Sequence, residues 1–366
     1  MNLALISFHF SEYSFHLAKA LANQHTVLLI LNESNAYKEL NEKVLTENIK
    51  SLKIILLKDV SVFNIMFVRN VTKVVSEIYR FSPDIIHYQE APRDYLVAAL
   101  PFISKYPSVV TIHDHKPHTG QDSNVRKRIK LYRSIMRRRA DGLIVHGNTI
   151  LIETEKMYPG KVGSVFSIPH GPLGESIEGD EIDFEWDVGS LLFFGRIEEY
   201  KGLKYLLAAA NELSEKNIKF KVVIAGSGSD LEQYKNKILG DPNIELLDKY
   251  IPNEDIPELF KRANLIVLPY TDATQSGIVA MALKFGRPIV ATDVGSIAEV
   301  VRHEYNGLLV QARNSVELAE AIEKLILDQA LSKIMAINSL AMSNNEISWP
   351  VISNQTISVY KNIINR

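Results

Sequence analysis

The segment Leu191–Gly202, with the sequence LLFFGRIEEYKG, contains the pattern that decides the fold. It begins with the short apolar run Leu191–Phe194, and a glycine turn with two cations separates this run from the helix-period segment Leu203–Leu213. A buried strand followed closely by an amphipathic helix is the repeating unit of a parallel sheet that helices cover on both faces. The segment therefore predicts an α/β fold.

Short apolar runs alternate with helix-period segments along the rest of the chain in the same way. The predicted strands are Leu3–Ser7, Thr26–Leu31, Lys53–Leu57, Asp84–Tyr88, Val109–His113, Gly142–His146, Ser164–Ile168, Leu191–Phe194, Lys221–Ala225, Ile244–Leu247, Leu265–Leu268, Pro288–Ala291 and Gly307–Val310. One series of strands lies before residue 172 and the other after residue 190. Because each series alternates with helices, we expect two Rossmann-like doubly wound domains, each with a parallel sheet.

The length and composition fit two compact domains. The chain has 366 residues, about twice the roughly 100–200 residues of a single domain. Hydrophobic residues make up 46% of the chain, a proportion that excludes a disordered protein. We place the first domain at residues 1–172 and the second at residues 190–343, with an acidic, non-periodic linker at residues 173–189. Residues 344–366 have helical apolar spacing but are too few to fold alone, so they must dock elsewhere on the chain.

Composition and hydropathy argue against several classes of protein. The absence of cysteine rules out disulfides, thiolate metal ligands and a cysteine nucleophile. The net charge of −2 argues against general binding of nucleic acid. The longest apolar runs are far shorter than the ~20 residues of a transmembrane helix, and the first residues lack the features of a signal peptide. We therefore expect a cytoplasmic protein.

Two cations near the start of the second domain suggest a diphosphate site. Arg196 follows the turn at Gly195, and Lys201 precedes the next helix. The N-terminus of that helix adds N–H donors and positive potential, and arginine can bind phosphate oxygens with two hydrogen bonds. The alternative, solvated surface charges beside a strand-terminal glycine, stays open on spacing alone.

A second group of donors is predicted after the strand Leu265–Leu268. There the backbone N–H groups of Ser276, Gly277 and Ile278 begin an apolar helix and can bind an anion such as the same diphosphate. An ordinary helix N-cap is the alternative interpretation of Ser276.

The turn Gly226-Ser227-Gly228 follows another strand but does not complete a dinucleotide-binding fingerprint. Leu231 stands where the third glycine of G-x-G-x-x-G belongs, which disfavours NAD binding. Glycines at such a turn either let a nucleotide approach the backbone or close a tight strand-to-helix connection.

His113 ends a predicted strand of the first domain, at the sheet edge where ligands bind in doubly wound folds. A neutral histidine can hydrogen-bond a sugar hydroxyl or transfer a proton near neutral pH. A structural role is the alternative. Metal binding by His113 with His115 and His118 is a weaker hypothesis, because their spacing matches no helical metal-binding motif.

A basic segment, residues 126–139, carries the positive charge of the first domain. Ile129 and Tyr132 have helical spacing with Ile135 and Met136, which predicts a helix with one apolar and one basic face. A solvated helix is the default interpretation. The functional alternative is attraction to an anionic lipid surface or acceptor. The residues assigned to that role are Arg126, Lys127, Lys130 and Arg133.

Taken in order, these motifs closely resemble the retaining glycosyltransferases of family 4. The matching pieces are Thr111–Asp114, Ile168–Gly171, Phe194–Arg196 with Lys201-Gly202, Ala225–Gly228 and Gly286–Asp293. The segment from Ile347 to Tyr360 also resembles the closing helix of the family, which crosses back to the N-terminal domain. The resemblance implies the GT-B fold, in which two Rossmann-like domains face a central cleft.

The resemblance also implies an activity. The second domain would hold a nucleotide-sugar, such as a UDP- or GDP-sugar, and the first would bind a glycan, lipid-linked or small-molecule acceptor. Arg196 and Lys201 match the residues that neutralise the donor diphosphate, so neither a metal nor a cofactor is expected. His113 matches the histidine that contacts the transferred sugar. A role in glycan or glycoconjugate synthesis would place the protein in the cytoplasm, with the inner face of the membrane as an alternative location.

The sequence departs from the family pattern at the loop before Ser276. The common Glu-x7-Glu motif is missing, and the loop resembles a variant branch of the family in which this motif is replaced. We assign Thr274 and Gln275 of this loop to the donor sugar. Asp272 is the nearest carboxylate that could replace the first glutamate, so we assign it a catalytic role with His113.

The nucleotide is assigned to Gly195 and Gly226, with Tyr250 and Ile251 as candidates for the base. Because the two glutamates are missing, one alternative is a catalytically silent nucleotide-sugar-binding subunit of a partner transferase. A nucleotide-sugar epimerase or phosphorylase of similar architecture is another.

Overall fold

The computed structural model describes residues 1–60, 63–90, 93–113, 127–174, 186–273 and 276–366. These residues form two compact units. Unit 1 comprises the described residues up to Gly171 together with Trp349–Arg366. Unit 2 comprises the described residues of Pro172–Ser348.

Unit 1 is a parallel sheet with helical crossovers. Its strands are β1 (Asn2–Ser7), β2 (Thr26–Asn32), β3 (Leu52–Leu57), β4 (Ile85–Gln89), β5 (Ser108–Ile112), β6 (Gly142–Val145) and β7 (Val165–Ser167). Its first helices are α1 (Ser11–Ala22), α2 (Glu33–Glu39), α3 (Glu42–Leu45), α4 (Ile65–Phe81), α5 (Asp94–Ile103), α6 (Lys127–Arg139) and α7 (Asn148–Met157). The strand order is β3-β2-β1-β4-β5-β6-β7, so the winding reverses between β1 and β4.

Unit 2 repeats this architecture with a smaller sheet. Its strands are β8 (Ser190–Phe194), β9 (Lys221–Ala225), β10 (Ile244–Leu247), β11 (Leu265–Leu268), β12 (Ile289–Thr292) and β13 (Gly307–Val310). Its helices are α8 (Leu203–Glu215), α9 (Lys235–Leu239), α10 (Ile256–Arg262), α11 (Gly277–Lys284), α12 (Ile297–Val300), α13 (Ser315–Leu327) and α14 (Gln329–Asn345). The order β10-β9-β8-β11-β12-β13 places the reversal between β8 and β11.

The final helix, α15 (Trp349–Ile364), belongs to unit 1 although the whole of unit 2 precedes it in the chain. It buries Ile352, Val359 and Ile363. The hydroxyl of Tyr360 lies 2.6 Å from Nδ1 of His87 on β4, inside the unit. Apolar burial and this internal hydrogen bond together hold the helix in place.

The expected α/β fold with two Rossmann-like sheets is confirmed. Every predicted strand is present, and its ends differ from the prediction by no more than one residue. The inner strands of both sheets are largely buried on both faces, so continuous apolar runs were the appropriate signal for them, whereas the edge strands β3 and β10 are only partly buried.

The two ends of the acidic segment are held on unit 2, while residues 175–185 lie outside the described residues. Lys284 Nζ donates a hydrogen bond to the carbonyl oxygen of Gly174 at 2.6 Å. Trp186 Nε1 donates to Oε1 of Gln329 at 2.9 Å.

No single helix among the described residues has the length and hydropathy of a membrane span. The pair α13 and α14 meets those criteria only when the two helices are counted together, and they are bent by 97° at their junction.

Candidate functional site

The reversal of winding in unit 2 brings two predicted anion-binding loops to one sheet edge. Strands β8 and β11 are neighbours, with Leu265 paired to Leu191 and Ile266 paired to Leu192. The turn at Gly195 follows β8, and the helix α11 begins at Gly277 after β11. Ligands of doubly wound sheets bind outside the carboxyl ends of the strands at such a reversal.

The loop before α8 is fixed against the segment that follows β11. The backbone N–H of Thr271 donates to the carbonyl oxygen of Tyr200 at 2.8 Å. Gly202 has a φ of 70°, and a Cβ there would overlap the carbonyl oxygen of Pro269. Only glycine allows this close approach, which sets the position of the adjacent Lys201.

Lys201 lies beside residues of the β11–α11 loop. Its Nζ is 3.9 Å from the centroid of the Tyr270 ring, a cation–π distance. The Tyr270 hydroxyl in turn lies 3.5 Å from Oγ of Ser276, the residue that precedes α11. The structure therefore places Lys201 near the N-terminus of α11, where helix dipole and N–H groups both favour an anion.

The remaining predicted diphosphate residues lie in the same region. Ile278 Cδ1 is 3.6 Å from the position that a Cβ would take on Gly195, so the turn after β8 adjoins the first turn of α11. Arg196 is exposed at this turn. These residues, predicted separately from two parts of the sequence, are brought together by strand pairing.

The loop between β11 and α11 is described only in part. Asp272, the predicted replacement for a missing glutamate, is exposed. Thr274 and Gln275, assigned to the donor sugar, lie outside the described residues.

Close packing of the backbone explains why glycines follow β9. A Cβ on Gly226 would overlap the carbonyl oxygen of Gly195, and one on Gly228 would overlap that of Ile197. The backbone N–H of Ile197 also donates to the carbonyl oxygen of Ser227 at 2.9 Å. The turn Gly226–Gly228 therefore supports the turn after β8, and this packing explains the glycines without a dinucleotide.

The two base candidates differ in exposure. Tyr250 is 54% exposed after β10, whereas the Ile251 side chain is 5% exposed within the apolar core of unit 2. A contact from Ile251 to a base would therefore have to come from its backbone.

In unit 1, His113 follows β5 and is buried. Its Nε2–H donates to Oε1 of Gln89 at 2.8 Å, and its ring stacks on Phe10 with 3.8 Å between centroids. Burial, followed by the nearby His146 and His170, holds the pKa of His113 well below its ordinary value. A neutral imidazole is suited to hydrogen bonding and cannot supply a proton as an imidazolium near neutral pH.

Two histidines that the sequence analysis did not single out lie beside His113. One ring nitrogen from each of His113, His146 and His170 lies within 4.8 Å of the other two. The metal hypothesis for His113 had named His115 and His118, which lie outside the described residues. The missed signal was positional, because His146 directly follows β6 and His170 lies three residues after β7.

A further histidine, His87, has a structural environment on β4. Its Nε2 lies 2.7 Å from Oγ1 of Thr111, and its Nδ1 contacts Tyr360 on α15. Burial, with a smaller contribution from His146, lowers the pKa of His87 to about 3. This side chain is a neutral part of the core.

The basic segment forms the helix α6, but its cations do not share one solvated face. Arg137 is buried and its guanidinium lies 2.5 Å from Oε1 of the buried Glu90. The expectation of a uniformly solvated basic face is therefore wrong for Arg137, because a buried carboxylate requires a charged partner. Arg128 forms an ion pair with Asp94 at 3.3 Å.

Among the residues of the basic segment assigned to an acceptor or membrane surface, Lys127 and Lys130 are exposed. Arg133 is half-buried. Arg126 lies outside the described residues.

Two doubly wound α/β units in one chain are the architecture of the GT-B proteins. Sequence models of two glycosyltransferase families match the chain, one over each half. The model for Glycosyltransferase Family 4 matches residues 11–171, and that for Glycosyl transferases group 1 matches residues 189–328. The chain belongs to the group 1 glycosyltransferases of family 4, and it is a transferase enzyme.

Proteins of similar sequence are named as sugar transferases. An uncharacterized glycosyltransferase of Methanocaldococcus jannaschii is 26% identical over 303 residues, which are 76% of this chain and 75% of that protein. The alpha-D-kanosaminyltransferase of Streptomyces kanamyceticus is 28% identical over 179 residues. That match covers 47% of this chain and 45% of the relative.

Solved structures share the fold across the chain. Sucrose-phosphate synthase from Thermosynechococcus elongatus has a TM-score of 0.75 at 18% identity, covering 100% of this chain and 99% of that one. Anabaena Alr3699/HepE, solved in complex with UDP, has a TM-score of 0.71 at 20% identity and covers 99% of this chain and 100% of that one.

Proposed function

We propose that the protein is a retaining, metal-independent glycosyltransferase that moves a sugar from a nucleotide-sugar to a glycan, lipid-linked or other acceptor. The observation that carries the proposal is the assembly in unit 2 of Lys201, the turn at Gly195 and the N-terminus of α11 at one sheet edge. Such an edge combines a lysine cation, backbone donors and a helix dipole, which together suit a diphosphate.

The chemistry of the step explains the need for these groups. When the bond between the anomeric carbon and the diphosphate oxygen breaks, negative charge develops on the leaving nucleoside diphosphate. Donors that are already in place stabilise that charge without reorganising during the reaction. Arg196, Lys201 and the backbone N–H groups from Ser276 to Ile278 would supply this stabilisation, which makes a bound metal unnecessary.

A UDP-sugar is the first donor class to consider. Anabaena Alr3699/HepE has been solved with UDP, with UDP and glucose, and with UDP-glucose. That protein shares the fold of this chain at 20% identity or less, so its ligands serve as the starting point of a donor search rather than as an assignment.

Retention of the anomeric configuration would follow from departure and attack on the same face of the sugar. In this mechanism no enzyme nucleophile is needed, and the acceptor hydroxyl can lose its proton to the leaving phosphate. His113, held neutral by burial, would hydrogen-bond a hydroxyl of the transferred sugar. The exposed Lys127 and Lys130 would face an anionic acceptor or membrane surface.

Donor binding in the presence of EDTA tests the proposal directly. We expect one nucleoside diphosphate sugar from a panel of UDP-, GDP- and ADP-sugars to bind in calorimetry, with an affinity that EDTA does not change. An affinity that disappears with EDTA would contradict metal independence. No binding by any sugar nucleotide at millimolar concentration would contradict the donor site itself, whereas binding without any turnover would favour the silent-subunit alternative.

Asp272→Asn tests the carboxylate assigned to replace the first glutamate of the family motif. If Asp272 contacts the sugar or stabilises positive charge at the anomeric carbon, turnover should fall by ~10²-fold with the thermal transition unchanged, because the side chain is exposed. Asp248→Asn serves as the control. Asp248 is an exposed carboxylate of unit 2 that forms an ion pair with Lys235. Normal turnover of the Asp272 variant would remove its catalytic role.

A further inference from the structure

Three histidines of unit 1 lie at the carboxyl ends of three neighbouring strands. His113 follows β5 and His146 follows β6, and the preceding residues Ile112 and Val145 are paired across these strands. His170 lies three residues beyond β7, the partner of β6. Parallel pairing therefore gathers three imidazoles that are far apart in the sequence, with one ring nitrogen of each within 4.8 Å of the others.

Hydrogen bonds to oxygen acceptors fix the protonated nitrogen of each ring. His113 donates from Nε2 to the Gln89 side-chain oxygen at 2.8 Å. His146 donates from Nδ1 to the Ile168 carbonyl oxygen at 2.9 Å, and His170 donates from Nδ1 to that of Gly171 at 2.7 Å. The second nitrogen of each neutral ring then carries a lone pair. Metal-binding histidines show this pattern, with one N–H on a carbonyl oxygen and the other nitrogen on the metal.

The ring geometry also fits a shared ion. A tetrahedral zinc at about 2.0–2.1 Å from each nitrogen would separate the imidazole centroids by about 5 Å. The observed centroid separations are 5.1 Å for His113–His146, 5.0 Å for His146–His170 and 6.0 Å for His113–His170. The planes are inclined by 50°, 68° and 71°, so no two of the rings are stacked face to face. The three ring nitrogens, within 4.8 Å of one another, would move closer together on binding one ion.

The burial of the histidines supports a bound ligand at this place. His113 and His146 are buried among the described residues. The Nδ1 atom of His113 has no hydrogen-bond partner among the described residues. A buried polar atom without a partner is costly, and a metal ion that accepts its lone pair would remove that cost.

We propose that His113, His146 and His170 form a binding site for a divalent transition-metal ion of the zinc class. The described ligand group consists of imidazoles without a carboxylate, which suits Zn²⁺, Cu²⁺, Ni²⁺ or Co²⁺ and disfavours Mg²⁺ and Ca²⁺. The three ligands of the site all belong to unit 1, and one of them, His113, is also the residue assigned to the transferred sugar. The existence of the site does not depend on the proposed metal-independent transfer.

Metal titration of the full chain tests the site. Protein stripped by a chelator is titrated with Zn²⁺ against a chromophoric chelator, and we expect one equivalent to bind. His146→Gln and His170→Gln should each weaken binding by at least ~10-fold, because each removes one of three ligands. His303→Gln, at an exposed histidine of unit 2, is the matched control and should leave the affinity unchanged.

Spectroscopy of the unaltered chain gives a second readout that does not depend on the folding of a variant. Loaded with Co²⁺, the site should show the visible absorption of a four-coordinate ion, and X-ray absorption with Zn²⁺ should count three imidazole ligands. If no stoichiometric equivalent of metal ion binds, the proposal is wrong. An affinity that both histidine variants retain, or a ligand count without imidazoles, would also overturn it.

An activity measurement extends the test and is the one part that rests on the proposed function. Bound metal would occupy His113 and deny it to the sugar, so Zn²⁺ should inhibit transfer and EDTA should restore it. Inhibition that persists in His170→Gln would overturn the connection between metal and transfer. Failure of the donor site would show as absent turnover with or without Zn²⁺, whereas failure of the metal site would leave turnover normal and Zn²⁺ unbound.

Discussion

Replacing both Arg196 and Lys201 by alanine is expected to abolish donor turnover while the protein stays folded. Each side chain is assigned to the diphosphate of the leaving nucleotide, and loss of one preorganised donor typically costs ~10²–10³ in kcat. The two losses together should exceed ~10³-fold. Initial rates of nucleoside diphosphate release, measured beside the thermal transition of the same sample, check the expectation.

Lys204→Ala provides the matched control for this pair. Lys204 is an exposed cation in the first turn of α8, close in sequence to Lys201 but beyond Gly202. Its removal takes away one nearby positive charge, as each of the two substitutions does singly, and should leave turnover within about twofold, since exposed ion contacts contribute little. If the double variant kept near-normal turnover, the diphosphate assignment would be wrong.

Replacing Arg137 by methionine is expected to lower the free energy of unfolding more than any of the other single substitutions proposed above. Arg137 and Glu90 are 5% and 3% exposed, and methionine would leave the Glu90 carboxylate buried without its charged partner. Removing one member of a buried pair costs about 3–5 kcal/mol in the free energy of unfolding. Chemical denaturation followed by circular dichroism measures the change.

Two further variants distinguish the buried charge from general effects on the helix. Arg138→Met changes the next, exposed residue of α6 and should alter the free energy of unfolding by no more than about 0.5 kcal/mol. The double variant Arg137→Met with Glu90→Gln removes both charges and should recover part of the loss. Equal destabilisation by the substitutions at residues 137 and 138 would contradict the role of the ion pair.

The fold could be predicted from the sequence because most of its strands are largely buried on both faces. A strand such as β11 (Leu265–Leu268) then appears as an uninterrupted apolar run, and its bounds were predicted without error. The apolar runs do not specify the order of the strands in the sheet. The positions of β5, β6 and β7 as neighbours depend on how the crossovers pack, which the periodicity of a single segment does not specify.

The candidate site was predictable to the same extent. The position of Arg196 and Lys201 at this sheet edge of unit 2 could be predicted because each stands next to a strand or helix end, where a local rule applies. The grouping of His146 and His170 with His113 was missed because it depends on strand order. Arg137 was misassigned for a related reason, since helical spacing cannot show that a neighbouring carboxylate, Glu90, is buried and needs a counter-charge.

The place of α15 in unit 1 has a consequence for biosynthesis. The described residues of unit 2 all lie within Pro172–Ser348, whereas unit 1 also needs α15, which follows that whole stretch. During translation, Tyr360 cannot reach His87 until unit 2 has been synthesised. The sheet of unit 1 is therefore made before unit 2 but completed only after it, and in the interval the nascent chain carries that sheet without α15.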